Sequence, residues 1–168
     1  NKTEGTIKVY NTTFKYLKEY AQKYKPLSFE SITLEFYNHY LSFLRLEHNL
    51  AANTVGKHIK TIKSFLNEAT ERGLNTNLEF RKRKFKTIRE EADTVYLSID
   101  ELKKVEDLQL SANPRLEKVK DLFLIGCYTG LRFSDFTQIK PENIVSNNSI
   151  IQVRTQKTSD RVSIPLHK

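Results

Sequence analysis

Residues 127–136 read Cys127-Tyr128-Thr129-Gly130-Leu131-Arg132-Phe133-Ser134-Asp135-Phe136. An apolar run from Leu122 to Tyr128 leads into this stretch and breaks at Gly130. Arg132 then stands between Leu131 and Phe133, with Asp135 three residues on. A charge in apolar surroundings needs a partner, because burying it alone is costly. Two readings fit these ten residues. One is a structural Arg–Asp pair at a helix start. The other is a guanidinium oriented by a carboxylate, a rigid fork suited to phosphate.

Outward from that stretch, the second half of the chain reads as mixed helix and strand. Ser98 and Glu101 form a capping box for a short helix with Ile99, Leu102 and Val105 on its apolar side. Asn113 followed by Pro114 is a second helix start. The helix from Pro114 to about Tyr128 is apolar on most sides and is expected to be the nearly fully buried centre of its domain, with Cys127 a small core residue. Gly130 closes it, 132–139 is a short helix, and Pro141 ends that helix. Ile144-Val145, a turn at Asn147-Asn148, and 150–154 then alternate as strands. A polar turn at 156–160 leads to a third strand at 161–165, with Val162 and Ile164 on one face. The expectation is a three-stranded antiparallel sheet with Lys157 in its last turn.

The first half shows helical periodicity only. Stripes at 6–24, 34–47 and 53–72 are bounded by Pro26, an N-cap at Thr33, a start at Asn53 or Thr54, and Gly73 as a C′ residue. A short helical piece over 74–80 is expected to turn Leu78 inward. Short loops between such helices imply a small bundle. The fold class is therefore mainly α, an N-terminal bundle followed by a partial α+β domain. We draw the first domain at 1–88, a linker at 89–95 and the second domain at 96–168. The wider stretch 81–94 has no helical stripe and reads as a connector, basic at first and acidic at Glu90, Glu91 and Asp93.

Charge narrows the function. The chain carries a net +8, and residues 53–89 hold ten Lys and Arg against three Glu, a net +7. Such a balance fits a polyanionic partner or a solvated basic face; nucleic acid is the first candidate, an anionic membrane surface the second. The outer face of the third helix is read as Asn53, Thr54, Lys57, His58, Lys60, Thr61, Lys63 and Ser64. Cations for phosphates and short polar groups for backbone or base edges suit a helix laid in a DNA groove. The basic run Arg81, Lys82, Arg83, Lys84 and Lys86 could follow a DNA backbone. His58 has no acid, Cys or second His at metal spacing. The single cysteine rules out an intrachain disulfide and fits a reducing compartment. No apolar run approaches the ~20 residues that span a bilayer, and the first ten residues do not read as a signal peptide.

The order helix, arginine, short helix, β-hairpin with a lysine near its tip resembles the tyrosine recombinase, or phage integrase, family. Thr129-Gly130-Leu131-Arg132-Phe133-Ser134-Asp135-Phe136 looks like its first arginine box, and Thr155-Gln156-Lys157-Thr158 like its hairpin lysine. Ala52-Asn53-Thr54-Val55 with the basic helix resembles its SAM-like core-binding domain, and 96–102 the opening of its catalytic domain. The resemblance implies site-specific recombination of double-stranded DNA through a 3′-phosphotyrosine, without cofactor, metal or small-molecule substrate, by a homotetramer on DNA in the cytoplasm. It implies that Arg132 binds the non-bridging oxygens of the transition state. Lys157 would protonate the leaving 5′-oxygen or hydrogen-bond a base beside the cut, and Asp135 would hold Arg132. The family more often has glutamate at that acid. Its nucleophile lies well after the arginine box, whereas all eight tyrosines here precede Arg132. The second His/Lys-x-x-Arg box is absent, and His167 cannot supply it. The expectation is a recombinase fragment that binds DNA and does not cleave it; the alternative is a non-catalytic DNA-binding or regulatory protein with the same fold.

Overall fold

The computed structural model describes residues 2–147 and 149–166. Asn148 of the expected strand turn and His167 lie outside the described residues. The chain forms two compact units, one up to Asp93 and one from Thr94.

The first unit is helical. Helix α1 (Glu4–Lys23) starts at Thr3, whose hydroxyl accepts the Thr6 amide. Helix α2 (Leu34–Ser42) starts at Thr33, which accepts from Phe36 as an N-cap hydroxyl should. The stripe expected to be one helix to Glu47 changes to a π-helical turn over Phe43–Glu47, and Asn49 then takes a left-handed φ of 50° to leave it. Helix α3 (Ala52–Glu71) begins one residue before the expected start. Gly73 follows its C-cap at φ 71° and ends it.

The core is aromatic. The Tyr20 ring meets Phe36, Tyr40 and Phe43 edge-on at 5.3–5.4 Å, the preferred arrangement of aromatic quadrupoles. Val55, Ile59, Ile62 and Leu66 of α3 close over them. Phe65, expected in that stripe, is half exposed beside Tyr10, because it lies at the edge of the buried arc.

Two expectations fail here. Residues 74–80 are not helical: Asn75 and Asn77 take up the local backbone donors, only Glu79–Arg81 forms a 3₁₀ turn, and Leu78 is exposed. Asn side chains compete with the helix for those backbone groups. The basic stretch 81–90 is not a free connector. Phe85 is fully buried in the bundle core, with its ring 4.5 Å from Tyr37. The Tyr37 hydroxyl donates to the Lys86 carbonyl (2.8 Å) and Lys63 Nζ to the Phe85 carbonyl (2.8 Å). Asn53 gives and takes one hydrogen bond each with the Glu90 backbone. At Gly56 a Cβ would stand 1.9 Å from the Ile88 carbonyl oxygen, so the strap crosses α3 where only glycine fits.

The second unit forms its expected elements, except that the short helix read over 132–139 is only Phe133–Phe136 and stops before Pro141. Helix α4 (Ile99–Glu106) has its reciprocal Ser98–Glu101 box. Helix α5 (Pro114–Thr129) is capped by Asn113 and closed by Gly130 at φ 63°. Helix α6 (Phe133–Phe136) and a 3₁₀ turn at Pro141–Asn143 precede the sheet. Strands β1 (Ile144–Val145), β2 (Ile150–Arg154) and β3 (Arg161–Pro165) are antiparallel in that order.

Burial of α5 is the miss in this unit. None of its residues is buried, Phe123 is 45% and Tyr128 58% exposed, and Cys127 is exposed rather than core. On its surface, Phe136 packs at Gly126 and Lys120 reaches the carbonyls of Glu106 and Leu108. Helix α4 also lies against it, with Tyr128 bonded to Glu106, yet much of its apolar stripe remains exposed. An apolar stripe records a preference for burial, not the neighbours available to satisfy it.

Candidate active site and nucleic-acid interface

The left-handed turn at Gly130 reverses the chain out of α5, and Arg132 becomes the extended N-cap of α6 (φ −67°, ψ 151°). Its side chain is half exposed, while that of Asp135, one helical turn on, is almost wholly buried. Asp135 Oδ1 accepts the backbone N–H of Gln156 at 2.9 Å and the Ser134 hydroxyl at 3.3 Å. Among the described residues Oδ2 has no hydrogen-bond partner, and it faces Arg132 Nη1 at 3.8 Å. That separation is an electrostatic contact, and about half of the Arg132 side chain remains exposed.

Gln156 immediately precedes Lys157, so Asp135 ties the arginine box to the hairpin turn. The turn is also tied internally. The Thr155 amide donates to the Asp160 carbonyl (2.9 Å), the Asp160 amide to Thr155 Oγ1 (3.1 Å) and the Ser159 amide to the Thr155 carbonyl (2.9 Å). Ser159 takes φ 60° to close it. Lys157 is exposed and pairs with no carboxylate among the described residues. Buried Thr155 and the Gln156 amide are thus part of the site. Sequence reading assigned them no role, since Asp135 and Gln156 are 21 residues apart and only tertiary folding joins them.

On α3 the candidates divide. Thr54, Lys57, Lys60 and Ser64 are exposed. His58 and Thr61 are buried and leave the proposed outer face. Thr13 gives its hydroxyl proton to the Val9 carbonyl (2.9 Å), so the His58 Nδ1–H is the donor to Thr13 Oγ1 (2.8 Å). Burial, and then Lys57 beside it, lowers the His58 pKa. Thr61 donates to the Lys57 carbonyl. Asn53 and Lys63 hold the strap described above. In the basic run, Arg81 meets Asn67 Oδ1 at 3.2 Å and lies over the Phe80 ring, and Lys82 pairs with Glu79. Arg83, Lys84 and Lys86 are exposed.

Residues 1–87 match the phage integrase SAM-like domain. The chain belongs to this integrase family. No curated protein matches the chain. Among solved structures, this integrase chain resembles a lambda integrase tetramer bound to a Holliday junction, at 20% identity and TM-score 0.74, covering 99% of this chain and 45% of that one. A lambda integrase dimer (residues 75–356) bound to a COC′ core site matches at 19% identity and TM-score 0.74, covering 98% and 56%. The Tn1549 transposon integrase (residues 82–397) in complex with circular intermediate DNA matches at 16% identity and TM-score 0.77, covering 100% and 56%. At these identities the likeness is one of fold, and it extends through both units. The chain spans about half the length of the integrases it matches.

Proposed function

We propose that this chain is the DNA-holding and phosphate-activating part of a site-specific tyrosine recombinase of a mobile element. The observation that carries the reading is the Asp135 carboxylate, which joins the Arg132 turn to the Lys157 hairpin while Arg132 stays half exposed and Lys157 exposed. In this reading a tyrosine hydroxyl attacks the scissile phosphorus, the P–O5′ bond breaks and a 3′-phosphotyrosine forms. Charge grows on the non-bridging oxygens, where Arg132 supplies preorganised donors. Lys157 gives a proton to the departing 5′-oxygen or hydrogen-bonds an adjacent base. Asp135 positions both. The steps require no metal or cofactor.

Residues 1–88 bind duplex DNA through Thr54, Lys57, Lys60 and Ser64 and through Arg83, Lys84 and Lys86. The segment that follows the strap connects them to the cation site in 96–168. The matched integrases were seen on DNA as a dimer and a tetramer, which supports a DNA-dependent oligomer. Among the described residues no helix is long and apolar enough to cross a membrane.

The 168 residues contain no tyrosine after Tyr128. The Tyr128 hydroxyl donates to Glu106 Oε2 at 3.1 Å, which raises its pKa and disfavours the phenolate a nucleophile needs. By itself, therefore, this polypeptide binds DNA without cutting it. The test is a nicked suicide substrate: the chain should retard the duplex and leave no covalent adduct, and a protein-linked strand would refute the reading. The same fold without chemistry is the competing reading. It is separated by assaying a longer protein that contains this chain: strand cleavage that Arg132→Ala abolishes while duplex binding persists supports the enzyme, and binding with no cleavage supports the rival.

A further inference from the structure

Strands β2 and β3 pair so that Arg154 stands directly opposite Arg161. Residues opposed in this way project from the same face of the sheet. Ile151, Val153 and Thr155 are buried on one face, so Gln152 and Arg154 occupy the other, with Ser163 and Arg161 beside them. Both arginines are exposed. Neither pairs with a carboxylate among the described residues, including neighbouring Asp160.

Like charges set directly across a ladder destabilise the pair of strands. An anion placed between them reverses the sign of that term, and two planar guanidinium forks match phosphate oxygens bidentately. The rung is also rigid. The next residues outward, Thr155 and Asp160, are joined by the two hydrogen bonds that close the turn. Little backbone freedom at the rung is left to be lost on binding, and that favours affinity.

We propose that Arg154 and Arg161 form a two-arginine phosphate clasp at the base of the hairpin, gripping the DNA backbone beside the Lys157 turn. The clasp rests on the reading that this hairpin approaches duplex DNA. It lies on the sheet face opposite the one that packs inward, and is separate from the Arg132–Asp135 pair.

The test uses the whole 168-residue chain and a random-sequence DNA duplex, with affinity followed against salt and melting followed without DNA. Arg154→Gln with Arg161→Gln should reduce the slope of log K against log salt by about 1.8, since each phosphate contact contributes about 0.9. It should not lower the melting temperature. Arg154→Glu places a carboxylate opposite Arg161, so it should raise the melting temperature while weakening binding further. Lys57→Ala with Lys60→Ala serves as the separate arm. If that variant loses slope while the double glutamine variant keeps it, the clasp is wrong and the DNA reading stands. If the parent chain binds with no salt dependence, both fall. A slope loss accompanied by a lower melting temperature in the glutamine variant would equally overturn the clasp, because the effect would then be structural.

Discussion

At the scale of single residues, His58 and Asp135 are buried polar groups with opposite jobs. His58 is a neutral strut. Its folded pKa is lowered by burial, so the unfolded chain binds the proton more readily. The stability that neutral His58 contributes is complete above its ordinary pKa and is lost as pH falls through the folded one. Acidifying from about pH 7.5 to about pH 5.5 should therefore lower the melting temperature of the first unit. His58→Asn, which keeps an N–H for Thr13 and does not titrate, should flatten that part of the profile; an unchanged profile would mean another group is responsible. Asp135 is a charged tie. Asp135→Ala removes the acceptor for the Gln156 amide, and hydrogen exchange at Gln156 should rise while β2–β3 ladder amides stay protected. Asp135→Asn retains an acceptor at that position, so its exchange should stay near the parent value, with the electrostatic hold on Arg132 lost.

At the scale of elements, the strap over 81–90 changes how the basic residues are understood. Its charges are not a loose tail, because Phe85 pins the segment into the bundle and α3 carries a glycine where it crosses. Phe85→Ala should cost about 3–5 kcal/mol, as for other large aromatic truncations in a core, and denaturant midpoints would measure it. Gly56→Ala should destabilise by a comparable route, since the added methyl collides with backbone that cannot rotate away. Both variants should also weaken DNA binding, as the strap presents Arg83, Lys84 and Lys86. Retained affinity in a detached strap would show that those lysines and Arg83 need no fixed placement.

At the scale of the molecule, a helical unit with most of the excess positive charge is joined in sequence to a unit that carries Arg132, Lys157, Arg154 and Arg161. Lys57→Ala with Lys60→Ala should weaken binding to all duplex sequences alike and lower the salt slope by about 1.8. A loss confined to one sequence would instead mark these lysines as base readers. Equal slopes for variant and parent would remove α3 from the interface.

The sequence by itself determined the elements whose causes are local. The Ser98–Glu101 box, the Asn113-Pro114 start, the stop at Gly130 and the alternation in β2 and β3 each act within a few residues, and each appears as read. It also offered Arg132, Asp135 and Lys157 as candidates, through their resemblance to an integrase pattern. Only the tertiary structure decided that Asp135 grips the Gln156 amide, that Asn53 and Lys63 serve the strap, and that His58 and Thr61 face inward. The helical period is too coarse to place residues at the margin of a buried arc, where the packing of α1 against α3 sets the outcome. Burial of α5 likewise depended on what lies against it, which no periodicity encodes. Local propensity fixes where elements begin and end; the partners of a side chain are set by chain segments far away in sequence.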